Sequence, residues 1–187
     1  MKHLGNLTVT PENALSFPAV SEIYGHLTIS VETNLTAPNL TMVRGWITIL
    51  HGGVLTAPRL GLIDGWLTIR GYSTLAADNL TEIRADATID LDESLRTPKL
   101  AEVGSLWIKN SRGNGGGYVL PNLSLVRNAL TLAPMTSLIM PELERIGGSL
   151  TLRANAELNA PNLQHIGGYA DIDETATIVA PKFTNAP

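Results

Sequence analysis

The chain has 187 residues, of which 44% are hydrophobic and 5% aromatic, so it can bury one sizeable and mostly aliphatic core. Its formal net charge of −4 argues against a nucleic-acid-binding surface, which needs clustered lysine and arginine. It contains no cysteine, which excludes disulfides, thiolate metal sites and cysteine nucleophiles.

The N-terminal segment, MKHLGNLTV, lacks the apolar run of a signal peptide. No stretch of the sequence approaches the roughly eighteen apolar residues of a membrane span. Together with the absence of cysteine, these features predict a cytoplasmic location without membrane contact. Secretion is the alternative.

A proline-centred motif returns about every twenty residues. Because proline has no N–H to donate to a sheet, this column predicts a corner between strands. Asparagine often follows it and can bond the backbone at such a corner. The column consists of Pro18, Pro38, Pro58, Asp78 in the place of proline, Pro98, Pro121, Pro141, Pro161 and Pro181.

Each unit also contains two apolar residues separated by an outward residue, which is usually threonine, as in Leu27-Thr28-Ile29. This alternation is strand periodicity, and no window has the 3.6-residue period of a helix. A small residue such as Gly45 or Gly65 precedes each pair, which indicates a corner or a close backbone approach. We therefore predict an all-β fold over residues 1–187, a parallel β-solenoid of about nine 20-residue turns with a single aliphatic core. We expect three flat sides per turn.

The repeat motif resembles that of a known class of solenoids. The string L-x-x-I-x-G-x-L-T-I occurs in residues 60–69 and, with conservative changes, in residues 40–49. It resembles leucine-rich-repeat-like solenoids, and is most similar to the receptor L-domain type and to the LTAPxL repeats of bacterial and phage-encoded proteins. The resemblance covers nearly the whole chain and implies a scaffold used for binding.

The repeat is irregular in one turn, around residues 104–120. Pro98 and Pro121 are 23 residues apart, because one residue is missing before Leu106 and about four are gained in the segment SRGNGGG, residues 111–117. This segment lacks the lysine and the serine or threonine of a phosphate-binding P-loop. We interpret it as a surface insertion.

The outward positions beside the threonine column predict a binding face. Trp46 and Trp66 should stack about 5 Å apart, and Trp107 should lie on the same sheet. Exposed apolar patches of this kind mark binding surfaces, although the tryptophans could also simply cover the glycine corners. The predicted face consists of His26, Trp46, Thr48, Leu50, Trp66, Thr68, Arg70, Asp86, Asp90 and Trp107.

No catalytic residue, metal site or cofactor is predicted. The histidines lack the spacing of metal ligands, and the acidic group lacks that of a calcium loop. These two sets are His3, His26, His51 and His165, and Asp86, Asp90, Asp92 and Glu93.

These features favour a non-enzymatic protein-interaction scaffold, and we hypothesise that its partner is a bacterial or phage factor that it inhibits or neutralises. Carbohydrate binding through the tryptophans is an alternative. A further alternative is a structural protein that forms homo-oligomers through the ends or edges of the solenoid. An enzyme of the parallel β-helix type would need longer loops to build a cleft. We expect no nucleic-acid or membrane partner.

Overall fold

A computed structural model describes residues 1–14, 17, 19–90, 94–111, 113 and 115–183. Within them every strand pairing is parallel, and paired residues are 19 to 24 positions apart in sequence. The prediction of an all-β, parallel β-solenoid is therefore confirmed. Pro18, Asp92 and Glu93, which entered the sequence analysis, lie outside the described residues. Among the described residues, no helix is long and apolar enough to span a bilayer.

Two sides of the solenoid are continuous nine-stranded sheets, called sheet A and sheet B. Nine strands in each sheet correspond to about eight full turns of the solenoid, close to the predicted nine. Sheet A consists of β1 (Lys2–His3), β3 (Glu22–Ile23), β6 (Met42–Val43), β9 (Leu62–Ile63), β12 (Glu82–Ile83), β15 (Glu102–Val103), β18 (Leu125–Val126), β21 (Arg145–Ile146) and β24 (His165–Ile166). Sheet B consists of β2 (Leu7–Val9), β4 (Leu27–Ile29), β7 (Ile47–Ile49), β10 (Leu67–Ile69), β13 (Ala87–Asp90), β16 (Leu106–Lys109), β19 (Leu130–Leu132), β22 (Leu150–Leu152) and β25 (Ala170–Ile172).

The third side is divided into two four-stranded sheets, called sheet C and sheet D. Sheet C consists of β5 (Asn34–Thr36), β8 (Val54–Thr56), β11 (Thr74–Ala76) and β14 (Ser94–Arg96). Sheet D consists of β17 (Gly116–Val119), β20 (Thr136–Ile139), β23 (Glu157–Asn159) and β26 (Thr177–Val179). Each turn from β3 onward thus has three described sides, as predicted, but the division of the third side was not predicted.

The core is aliphatic and follows the predicted inward columns. Leu27 and Ile29 are fully buried, whereas Thr28 between them is half-buried on the outer face. The same alternation recurs in β7, β10, β19 and β22. Burial is lost in the last described turn, where the inward residues Ala170 and Ile172 are exposed. Stacked turns therefore share one core, because each turn covers the apolar face of its neighbour.

Asparagine side chains tie successive corners together, as the sequence predicts. The Nδ2 group of Asn79 donates to the Pro58 carbonyl at 2.8 Å, and Asn162 donates to the Pro141 carbonyl at the same distance. Where Asp78 replaces proline, its carboxylate instead pairs with Arg96 in the following turn, at 2.8 Å from Nε. Each of these bonds joins one turn to the next.

The irregular turn keeps sheets A and B intact. In sheet A, Val103 pairs with Ile83, twenty positions earlier, and with Val126, twenty-three positions later. In sheet B, Asp90 pairs with Lys109, nineteen positions later. Strand pairing in sheets A and B therefore continues across the missing residue and the insertion. Only the third side is interrupted.

A charged cluster spans this irregular turn on the outer face of sheet A. The Arg127 guanidinium donates to the carboxylates of Glu102, one turn earlier, and Glu82, two turns earlier. It can reach past the intermediate turn because Gly104 occupies the equivalent position there and has no side chain. Arg84 also contacts Glu82, at 3.4 Å from Nε. The cluster therefore links three consecutive turns.

The cluster predicts an acid-sensitive contribution to stability. The hydrogen bond from Arg127 lowers the pKa of Glu82 below its ordinary value of 4.5. Because the folded-state pKa is depressed, the contribution is present above about pH 4.5 and disappears as the pH falls through the folded-state pKa. Glu82→Gln should lower the free energy of unfolding by about 1 kcal/mol at pH 7, a value reduced for solvent screening.

Urea unfolding of wild type and Glu82→Gln at pH 7 and at pH 2.5 tests this prediction, and the difference between them should shrink at the lower pH. Glu144→Gln is the control, because Glu144 is an exposed carboxylate with no ion pair among the described residues. It should have no effect at pH 7. A pH-independent difference for Glu82→Gln would contradict the electrostatic explanation.

Candidate functional site

Three aromatic rings form a stack on the outer face of sheet B. The ring centroids of Trp46 and Trp66 lie 4.5 Å apart with planes 3° from parallel, close to the predicted spacing. His26, one turn earlier, stacks on Trp46 with an interplanar angle of 10°. The three residues precede the adjacent strands β4, β7 and β10, so the spacing of the turns brings their rings into contact.

Most of the ring faces in the stack are covered by the neighbouring rings. Trp46 lies between His26 and Trp66 and is half-buried, whereas Trp66 is 45% exposed and has no ring stacked on its other side among the described residues. The Nδ1 atom of His26 accepts a hydrogen bond from the backbone N–H of Trp46 at 3.3 Å. His26 also covers the glycine corner, since a Cβ on Gly45 would lie 2.1 Å from this nitrogen. The stack therefore contributes to the architecture as well as to the surface.

Trp107 is the second exposed tryptophan of this face. It occupies the position of the outward threonine in β16, two strands beyond β10, and is 47% exposed. The Lys109 ammonium lies 4.1 Å from its ring centroid, which is a cation–π contact. A positive charge is thereby fixed beside an exposed aromatic ring.

Two clefts lie along sheet B, and Trp107 lines the smaller one. The larger has a volume of about 410 Å³ and is lined by Arg70, Thr88, Asp90 and Lys109 among others. The smaller, of about 150 Å³, lies beside Trp107 and also contacts Thr88. Both clefts therefore open on the same part of sheet B.

Two of the charged residues of the larger cleft, Asp90 and Arg70, differ in their contacts. Both carboxylate oxygens of Asp90 accept bonds from Ser111, one of them from its backbone N–H at 2.9 Å, and the Asp90 carbonyl accepts from the Tyr118 hydroxyl at 3.0 Å. Asp90 thus anchors the ends of the glycine-rich insertion. Arg70 is exposed, and no described residue forms an ion pair with it.

No family model, curated protein or solved structure matches this chain.

All ten predicted site residues lie on or beside the outer face of sheet B. Thr48 and Thr68 pair across β7 and β10 and are half-buried, as is Leu50, whereas Asp86 is exposed at the edge of the smaller cleft. The predicted binding face did not include His51, which lines the larger cleft. It follows Leu50 at a corner, outside the columns of outward strand positions. The insertion residues Arg112 and Asn114 lie outside the described residues.

The arrangement brings several kinds of binding group together. It combines two indole rings, two cations, a threonine hydroxyl and a carboxylate held by hydrogen bonds. In the described part of the chain, no group of three histidine, aspartate or glutamate side chains could hold a metal ion. These groups can bind a partner by packing, hydrogen bonding and charge.

Proposed function

We propose that the chain is a non-enzymatic protein-interaction scaffold that binds its partner through the outer face of sheet B. The observation that carries the proposal is the exposure of Trp66 and Trp107, at 45% and 47%, on a sheet that also carries two clefts, the smaller of them lined by Trp107. Tryptophan and arginine are enriched among the residues that dominate protein interfaces, and Arg70 lines the larger cleft. A rigid sheet presents them at little cost in conformational entropy.

The ring contacts favour a protein partner over a carbohydrate. Sugar rings bind by stacking on open aromatic faces, but both faces of Trp46 and one face of Trp66 are covered. The Lys109 ammonium occupies one face of Trp107. A protein partner does not need open ring faces, because it can contact the exposed indole edges and enter the clefts of the same sheet.

The class of scaffold and the kind of partner are proposed from the sequence. The repeat motif supports a leucine-rich-repeat-like scaffold, and we propose a bacterial or phage factor as the partner that it inhibits. A cytoplasmic location is consistent with a chain that has no cysteine. Association between copies through the solenoid ends stays a prediction.

Replacing both exposed tryptophans should abolish partner capture. Trp66→Ala with Trp107→Ala removes the two exposed indole groups of this face, and we expect at least a hundredfold weaker binding because such residues often dominate an interface. The measurement is affinity capture from cells of the source organism, with mass spectrometry to identify the partner and titration to quantify its binding.

Tyr169→Ala is the matched control. Tyr169 is an exposed aromatic residue at the position equivalent to Trp66, but in the last described turn. Its replacement should leave capture unchanged, and circular dichroism should show that all variants keep the solenoid. Undiminished capture by the double variant would place the interface elsewhere. Binding of wild type to a glycan array without protein capture would instead support the carbohydrate alternative.

A further inference from the structure

The third side of the solenoid is open at one place. Strands β14 and β17 occupy consecutive turns, but no described backbone hydrogen bond joins them. Leu95 in β14 and Tyr118, the next residue of its column, are only half-buried, whereas Leu75 before them and Leu138 after them are completely buried. Val119 in β17 is 59% exposed. Sheets A and B continue through the same turns, so the opening is a local gap between two strand edges.

Hydrogen-bonding groups are left unused at this gap. The N–H groups of Ala57, Ala77 and Leu120 each donate to a carbonyl in the following turn, at 2.8 to 2.9 Å. The equivalent bond from Thr97 to Val119 is missing among the described residues. Thr97 is also buried, with an exposure of only 4%, and its Oγ1 atom has no hydrogen-bond partner among the described residues.

Threonine is unusual at this position. The other described members of its column are apolar, so Thr97 places the only hydroxyl of that column at the only gap in the third side among the described turns. The column consists of Phe17, Ala37, Ala57, Ala77, Thr97, Leu120, Met140, Ala160 and Ala180. A buried hydroxyl without a partner costs free energy, and a site that binds a hydrogen-bonding ligand explains why it is present.

The gap forms a cleft with a volume of about 240 Å³. Apolar groups of Leu95, Val119, Pro98 and Pro121 line it together with Thr97. Arg96 lies at its rim, but its guanidinium is held by Asp78 in the preceding turn. The cleft therefore offers hydrogen bonds and apolar contact without an unpaired charge among its described residues.

We propose that this cleft binds an extended segment of a partner polypeptide, with a small apolar side chain at its central residue. A peptide carbonyl of the segment accepts hydrogen bonds from the Thr97 N–H and Oγ1. A peptide N–H donates to the Val119 carbonyl, and the apolar side chain packs against Leu95 and the prolines. Strand edges bind peptides in this manner, with main-chain bonds giving affinity and pockets giving specificity.

The size of the cleft favours a peptide segment over a whole small-molecule ligand. Ligand pockets usually measure about 300–1,000 Å³, more than is present here. An extended segment needs to place only a residue or two in the cleft and can continue across the surface. The site lies on a different side from the tryptophans and does not rest on the function proposed for sheet B.

Amide hydrogen exchange tests whether the gap is open in the free protein. The Thr97 amide should exchange at least tenfold faster than the amides of Ala77 and Leu120, which have partners in the next turn. NMR spectra of the full chain labelled with ¹⁵N measure all three. Equal protection of Thr97 would show that the strands are paired in solution and would overturn the proposal.

Titration with capped pentapeptides tests the ligand. The probe is acetyl-Ser-Ser-Val-Ser-Ser-amide, and it should shift the Thr97 and Val119 amide signals and slow exchange at Thr97. N-methylation of the central valine should abolish binding, because the Val119 carbonyl then loses its donor. Replacing that valine by aspartate should weaken binding at least tenfold. Absence of shifts at millimolar peptide, or equal binding of the N-methylated form, would overturn the proposal.

A pair of threonine variants links the binding to the buried hydroxyl. Thr97→Val keeps the side-chain shape and should weaken peptide binding about tenfold. Thr56→Val, on the outer face of the neighbouring sheet C, should leave it unchanged. Equal affinities for the two variants would contradict a role for the Thr97 hydroxyl. The tryptophan double variant should bind the peptide normally, which separates this site from the sheet B surface.

Discussion

Leu75→Ala should lower the free energy of unfolding by about 2–5 kcal/mol, the usual range for leucine-to-alanine changes in a core. Leu75 is completely buried, and its strand β11 is paired on both sides, with Leu55 before it and Leu95 after it. Neighbouring turns are held in place by sheets A and B, so they cannot collapse into the space that the missing side chain leaves. Equilibrium unfolding in urea, followed by circular dichroism, measures the loss.

Leu95→Ala is the matched control, because it removes the same atoms one turn later in the same column. Leu95 is half-buried beside the gap, so part of its side chain is already in contact with solvent. Its replacement should cost at least 1 kcal/mol less than that of Leu75, since less apolar surface is removed from the core. Equal losses would indicate that the core is as closed at Leu95 as at Leu75.

Gly65→Ala should destabilise the solenoid by about 1–3 kcal/mol, the cost typical of overpacking a rigid site. A Cβ at this position would lie 2.6 Å from the carbonyl carbon and oxygen of Gly45 and 2.8 Å from the backbone nitrogen of Trp46. All three atoms belong to the backbone of the preceding turn, so no side-chain rotation can relieve the contacts. The thermal midpoint should fall, and tryptophan fluorescence should report the displacement of the ring stack.

Gly5→Ala tests the same residue type in the same column of the repeat. No atom lies within 4 Å of the Cβ that this change would add. We expect a change of less than about 0.5 kcal/mol, as for most surface substitutions. A similar loss for both variants would mean that glycine is needed for its backbone freedom and not for close approach.

Much of the fold was predictable because each turn repeats the same local chemistry. The Leu27-Thr28-Ile29 alternation determines which side chains face the core, and the 20-residue spacing determines the strand pairing. The corner role of asparagine was also predictable, since an amide side chain beside proline has few other partners. The Asn79 bond to the Pro58 carbonyl is an example.

The gap in the third side was not predictable from periodicity. The insertion is visible in the sequence, but its effect depends on how the register is shared among three sides. Pairing in sheets A and B continues through Val103 and Lys109, whereas β14 and β17 do not pair with each other. Thr97 interrupts an otherwise apolar column, and its importance is visible only with its burial and lack of a partner.

The tryptophan face was predictable in position but not in detail. The column pattern places Trp46 and Trp66 in register, and the rings stack at 4.5 Å. That His26 covers the second face of Trp46 depends on ring orientation, which the pattern does not determine. The anchoring of Ser111 by Asp90 joins residues from two turns and has no signal in the repeat.

The asparagines at the corners also bear on covalent modification of the chain. Asn79 and Asn122 each begin an Asn-x-Ser/Thr sequence, the acceptor motif for N-linked glycans. A glycan is attached to the side-chain nitrogen, and in both residues that nitrogen donates to a proline carbonyl of the preceding turn, at 2.8 and 2.6 Å. Attaching a sugar there would require the corner to open. In the folded protein, these two motifs are therefore poor glycosylation acceptors, and their recurrence reflects the joining of turns.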